Sequence, residues 1–287
     1  MAPLIDRSIA QARARLGREL FARVAGPSGP QHRERIHNTP GPRHFEAGSP
    51  IQRVHGDASM FIGGLRALLL QSLHPLAMAA VDGHSGFRSD PWGRLQRTST
   101  FLAVTTFGTV SDADRAVTTV RAIHSRVRGT ASDGRPYAAD DPHLLLWVHV
   151  AEVDSFLAAH DRYGQRPLHG GDRDAYVAQT ALVARALGAA DPPTTEAELR
   201  HMLDTFRPEL RGTDAARRAA RFLLLQPPLP VAMRPPYAVL AAAAVGLLPR
   251  WARAPLWLPY LPLAELSAVR VGGEAVTRTI RWAMQPV

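Results

Sequence analysis

The chain has 287 residues, an apolar share of 46% and a net charge of +9 from 34 basic and 25 acidic residues. That length and apolar share suit one large domain or two small ones with a sizeable core, and they exclude disorder. The absence of cysteine excludes disulfides, thiolate nucleophiles, iron–sulfur clusters and cysteine-ligated zinc.

All 34 basic residues are arginine. They are scattered among acidic residues, whereas a nucleic-acid binder clusters its charge and interleaves it with stacking aromatics, so no nucleic-acid partner is expected. The positive balance favours an anionic ligand or an anionic membrane surface.

In chain order, Met1 to Ala25 predicts an amphipathic helix with Arg7, Arg13, Arg15 and Arg18 and no apolar core of signal-peptide length, so a cytoplasmic location is expected. Residues 26–56 are rich in proline, glycine, histidine and arginine without periodicity and read as an irregular arm. The chain thus divides into an N-terminal helix and arm over 1–56 and a helical domain over 57–287. Asp57 is the expected N-cap of a helix through Leu65, Leu68, Leu69 and Leu73 that breaks at His74-Pro75. A second helix is predicted from Pro91 to Phe107. Ser111-Asp-Ala-Asp114 resembles a capping box opening a helix with Val117, Val120, Ile123 and Val127 in period and a stop at Gly129. Pro142 opens a strongly apolar helix to about Tyr163. Further helices fit 172–188, 195–206, 214–225, 236–248 and 261–284. No alternating strand pattern, hairpin signal or repeat is present, which gives an all-α chain.

No stretch reads as a membrane span. The apolar run Met60 to Val81 is interrupted by Arg66, Gln71, His74 and Pro75, and Tyr237 to Leu248 falls well short of the ~20 residues a span needs. Gln226 to Pro236 and Pro255 to Pro262 break the C-terminal third into short apolar pieces, which suit core helices joined by rigid turns or a greasy docking surface.

Between Gly56 and Phe156, histidines, arginines and a threonine are set into apolar helical sequence. Burying such groups without partners costs about 1–3 kcal/mol each, so each demands a partner in the fold or in a ligand. His124 leaves the face formed by Val117, Val120 and Val127, with Arg121 and Arg128 a turn to either side. Its imidazole could bind iron, and the arginines could reach a pair of carboxylates such as haem propionates. From spacing alone, a hydrogen-bonded core histidine is the commoner reading. Arg94, Arg97 and Thr98 share one helical face and could stabilise a developing oxyanion or bound dioxygen, or form a solvated basic stripe with a back-bonding threonine. His149-x-x-Glu152 could be half of a dimetal carboxylate site, but no second half exists in the sequence. No Gly-x-Gly-x-x-Gly, P-loop or Gly-x-Ser-x-Gly is present, which argues against nucleotide chemistry and serine hydrolysis.

Four strings occur in order: Gly63-Gly-Leu-Arg-Ala-Leu-Leu-Leu-Gln-Ser-Leu-His-Pro75, Asp90-Pro-Trp-Gly-Arg94, Arg121-Ala-Ile-His-Ser-Arg-Val-Arg-Gly129 and Asp141-Pro-His-Leu-Leu-Leu-Trp-Val-His149. Together the sequence resembles the MpaB-like oxygenases, which share a catalytic domain with rubber oxygenase (latex clearing protein). The resemblance spans roughly residues 50 to 285. It implies a single all-α, globin-like domain of about ten helices around a buried haem b, with dioxygen as cosubstrate and a lipophilic, unsaturated small molecule as substrate. It places the proximal iron ligand on His124, with Arg121 and Arg128 toward the propionates. His74 and His149 are the other histidines of the matched region to weigh as iron ligands. The distal arginine, basic residue and threonine fall on Arg94, Arg97 and Thr98. Arg97 stands where the rubber oxygenases carry lysine, and no acidic residue can be placed as a base. Peripheral membrane contact is the remaining expectation. The alternative is a non-catalytic protein that binds haem or another hydrophobic ligand at a membrane surface.

Overall fold

The computed structural model describes residues 2–84 and 89–284, with side chains from residue 10 onward. It is all-α. Helix α1 (Ala2–Ala25) packs along the C-terminal helix. The arm expected to be irregular holds two helices, α2 (Gly29–Asn38) and α3 (Pro50–His55). Each carries proline in its first turn, where the missing N–H is an orphan anyway and the fixed φ already suits a helix. The prolines that read as breakers are starters.

Helix α4 (Met60–Gln71) and helix α5 (Pro75–His84) meet at a 108° bend across Ser72 to His74. Asp57 does not cap α4 directly; its Oδ1 accepts from Ser59 N at 2.8 Å in the turn that leads into it. Helix α6 (Pro91–Phe107) starts as expected, with the Asp90 carboxylate accepting from Gly93 N at 2.9 Å.

Helix α7 (Val110–His124) is capped by Thr109 and not by Ser111, and it ends at His124, short of Gly129. Beyond it the chain forms a small antiparallel pair, β1 (Arg128–Thr130) with β2 (Pro136–Ala138), in the register Gly129 to Tyr137. No strand was expected there. The hairpin closes through Gly134, whose φ of +85° is costly for other residues.

Helix α8 (Pro142–Tyr163) is the central element, capped by Asp141 on the N–H groups of His143 and Leu144. Helix α9 (Asp172–Leu187) ends in the left-handed Gly188, and α10 (Glu196–Phe206) opens with a reciprocal Thr195/Glu198 capping box. Helices α11 (Asp214–Leu225), α12 (Arg234–Leu247), α13 (Arg250–Arg253) and α14 (Pro262–Ala264) follow. A π-helical turn at Glu265–Val269 then leads into α15 (Arg270–Met284).

The core is built on α4 against α8. Gly63 allows the approach, since a methyl there would lie 3.0 Å from Phe156 Cδ1 and 3.2 Å from Ala159 Cβ. Trp147, Val150 and Ala151 of α8 pack with Leu69, Leu70, Tyr176 and Phe206, and Trp147 Nε1 donates to Gln71 O at 3.1 Å. The buried Arg66 is fully engaged. It pairs with Asp154 at 2.7 Å and donates to Ser155 Oγ and to Leu247 O, tying α4, α8 and α12 together. Arg281 of α15 reaches back to Asp57 with two bonds of 2.9 Å and also donates to Tyr163 O, joining the C-terminal helix to the entrance of α4. Among the described residues, no single helix is long and apolar enough to cross a membrane.

Candidate functional site

One face of α8 carries ionisable groups where the rest of the helix is apolar. His149 and Glu152 are three residues apart and therefore point the same way. Both are half-buried, as are Arg94 on α6 and His55 on α3.

Glu152 is the hub. Burial pushes its carboxyl up to about 7, against a hydrogen bond from the Gln71 side chain and the attraction of Arg94. The same burial pulls the Arg94 guanidinium below its ordinary value, opposed by Glu152 and reinforced by Arg97. Tyr176 on α9, fully buried, has its hydroxyl held well above the usual range by burial and by Glu152. His55 Nδ1 lies 2.8 Å from Thr106 Oγ1 and its Nε2 lies 3.4 Å from Tyr176 Oη, and burial lowers this imidazole to about 4. Four helices and the end of α4 thus bring Glu152, Arg94, Tyr176, His55 and Gln71 together, with His149 one turn from Glu152 on α8.

Among the described residues, the buried imidazole nitrogens without a hydrogen bond are His124 Nδ1, His149 Nε2 and both nitrogens of His160. Burial holds His149 neutral down to about 4, with Arg185 adding to the effect. His124 is likewise lowered by burial, against the pull of Asp140. Its position at the last residue of α7 leaves it half-buried. His160 lies at the opposite end of α8, near Asp57 and Arg281. His74 is engaged elsewhere, with Nε2 3.3 Å from Glu209 Oε2.

The remaining expected residues are placed as follows. Arg97 is exposed and pairs with Asp90 at 3.1 Å, and Thr98 is also exposed, so of the three α6 residues Arg94 alone lies in the interior. Arg128 pairs with Asp140 at 2.8 Å, and Arg121 donates to Ala186 O at 3.0 Å, at the C-terminal end of α9. A propionate would have to compete for Arg128. Large apolar side chains stay exposed on α6, α7 and α9, namely Leu95, Ile123 and Leu182. Chemically, the arrangement can hold a metal through a neutral imidazole, keep a proton available near neutrality on Glu152, and present a fixed positive charge beside it.

Sequence reasoning had placed His149 and Glu152 as a pair but missed Gln71, His55 and Tyr176. Gln71 alone left a signal, as a polar interruption of an apolar run.

The family model described as ER-bound oxygenase mpaB/B'/rubber oxygenase, catalytic domain, matches residues 52–282. Two curated relatives, uncharacterized proteins of Mycobacterium bovis and Mycobacterium tuberculosis, are each 41% identical over 86 residues, which is 30% of this chain. The matched stretch spans 33% of the length of each relative. No solved structure matches the chain.

Proposed function

The chain belongs to the family of the ER-bound oxygenase mpaB/B' and rubber oxygenase catalytic domain, and we propose that it is a haem-b-dependent oxygenase acting with dioxygen on a lipophilic, unsaturated small molecule. The observation that carries this reading is the two neutral, partnerless imidazole nitrogens, His124 Nδ1 at the end of α7 and His149 Nε2 one turn from Glu152 on α8. Leaving such a nitrogen unsatisfied costs about 1–3 kcal/mol unless something binds there, and a neutral imidazole is the donor an iron porphyrin takes. The residues fit the group.

His124 is the assigned ligand and His149 its rival. When bound, the haem supplies the redox chemistry that activates dioxygen. The chain's own residues do the rest. Arg94 offers a preorganised positive charge in a poorly hydrated interior, where it stabilises developing negative charge. Glu152, balanced near neutrality, can hold or release a proton at its carboxyl oxygen and takes the role of the acid–base residue that sequence alone could not place. Arg97 and Thr98 flank Arg94 on its exposed side. The apolar side chains of Leu95, Ile123 and Leu182 suit a lipophilic substrate.

Peripheral membrane contact belongs to the same reading. Trp257, Leu261, Leu263, Leu266 and Val271 are all exposed, with Arg217 stacked over Trp257 and Arg250 over Tyr260. This surface also favours the second reading, a non-catalytic carrier of a hydrophobic ligand.

Titration of the purified protein with haemin decides between them. The expected result is a Soret band saturating at one haem per chain, lost in His124→Ala, partly restored by added imidazole and retained in His149→Ala. A protein that stays colourless favours the carrier. A His149→Ala variant that empties while His124→Ala stays loaded moves the ligand to His149.

A further inference from the structure

A second constellation lies outside this interior and takes no part in the proposed oxygenase chemistry. His74 sits at the α4–α5 bend, His143 at the second residue of α8, and Glu209 in the short 3₁₀ turn after α10. Three elements distant in sequence bring these side chains together. His74 Nε2 is 3.3 Å from Glu209 Oε2, and His143 Nε2 is 2.9 Å from Oε1 and 3.0 Å from Oε2. All three donor atoms lie within 4.8 Å of one another. His74 is buried against Trp147 and Phe206, whereas His143 and Glu209 face solvent.

We infer that His74, His143 and Glu209 form a binding site for a divalent transition-metal ion of the zinc type, with one coordination position open to solvent. The geometry supports this. A tetrahedral zinc with ligands at about 2.0–2.1 Å has neighbouring donors about 3.3 Å apart, close to the imidazole–carboxylate distances found here. The donor set, two imidazoles and one carboxylate, is that of open zinc sites that keep a water ligand. The ring packing of His74 fixes one ligand in advance. One contact is lost: Ala77 N approaches His74 Nδ1 at 3.4 Å, and a metal on Nε2 places the ring proton on Nδ1. That contact is at the long limit of a hydrogen bond, so its loss is cheap. Arg135 lies close enough for its charge to be felt at His74, but it is neutralised by Asp133 at 2.7 Å. An ion here would clamp the α4–α5 bend to the start of α8.

The test uses the full chain loaded with zinc, dialysed against metal-free buffer and assayed by emission spectroscopy, which counts zinc separately from iron. About one zinc per chain is expected in the wild type, with thermal unfolding shifted upward by zinc. His143→Ala and Glu209→Ala, both at the surface and both checked for native circular dichroism, should each lose the zinc and the thermal shift. The loss in affinity should exceed the about 10–100-fold that removing a supporting hydrogen bond brings. His201→Ala, an exposed histidine on α10, should behave as wild type. No zinc retained by the wild type, or retention in either His143→Ala or Glu209→Ala, overturns the site.

Discussion

Glu152→Gln isolates the energetic cost of the interior carboxyl. In the folded, haem-free protein, burial carries this group from 4.5 to about 7. At ~1.4 kcal/mol for each tenfold change in proton affinity, the ionised form is disfavoured by about 3 kcal/mol relative to the unfolded chain. The sign follows from a folded value raised above the unfolded one. The contribution of Glu152 is fully present below 4.5, is lost as pH rises toward 7, and is flat above. Glutamine has the shape of the protonated acid and does not ionise, so the variant should match the wild type at pH 4.5 and exceed it by about 3 kcal/mol at pH 7.5. Urea unfolding of both proteins at the two pH values, followed by far-ultraviolet circular dichroism, measures the difference directly, and shifts in other groups cancel between them. A wild-type-to-variant difference that is the same at pH 4.5 and 7.5 would falsify the argument, because Glu152 would then ionise as freely as a carboxylate in water.

Other outcomes follow from features already described. Gly63→Ala forces a methyl against Phe156 and Ala159 and should cost about 1–3 kcal/mol, whereas Gly64→Ala, with nothing within 4 Å, should gain up to about 1 kcal/mol; equal denaturation midpoints for the two would refute the close α4–α8 packing. Arg281→Met strands the buried Asp57 carboxylate and should destabilise by about 3–5 kcal/mol in urea, a loss under about 1 kcal/mol being incompatible with a working ion pair. Arg94→Gln removes the cation that opposes desolvation of Glu152, so carboxyl-carbon NMR should show that group titrating above its wild-type midpoint. A midpoint that stays or falls would separate the two side chains.

The elements that sequence placed well are those whose ends are written locally. Asp90-Pro91 and Asp141-Pro142 each put a capping carboxylate before an N-terminal proline, and both helices start there. The failures are also local in origin. Proline in residues 26–56 has two meanings, breaker or first-turn residue, and only tertiary contacts such as Arg35 with Asp112 at 2.6 Å select the second. Val127 continued the apolar period of α7 by coincidence, since its N–H bonds to His124 O in a turn outside the helix. The family strings contain Gln71, Arg94, His124 and His149. They could not show that Glu152 answers Arg94, because that pairing joins two helices through desolvation, and desolvation has no spacing to read. His55, in the arm, and Tyr176, on a helix with no other chemical signal, became site residues only through packing.

The Asp57–Arg281 bond has a kinetic meaning beyond its contribution to stability. Its partners are 224 residues apart, so closing it confines nearly the whole chain in one loop, and the entropy of that closure must be met before the contact returns anything. Such contacts form after local helices and the α4–α8 pairing have already shortened the effective loop. The bond is therefore expected to be absent at the folding barrier and present only beyond it. Weakening it should leave the refolding rate nearly unchanged and speed unfolding by almost the full destabilisation. This clasp of the C-terminal helix onto the entrance of α4 sets how long the folded chain stays closed, more than how fast it is made.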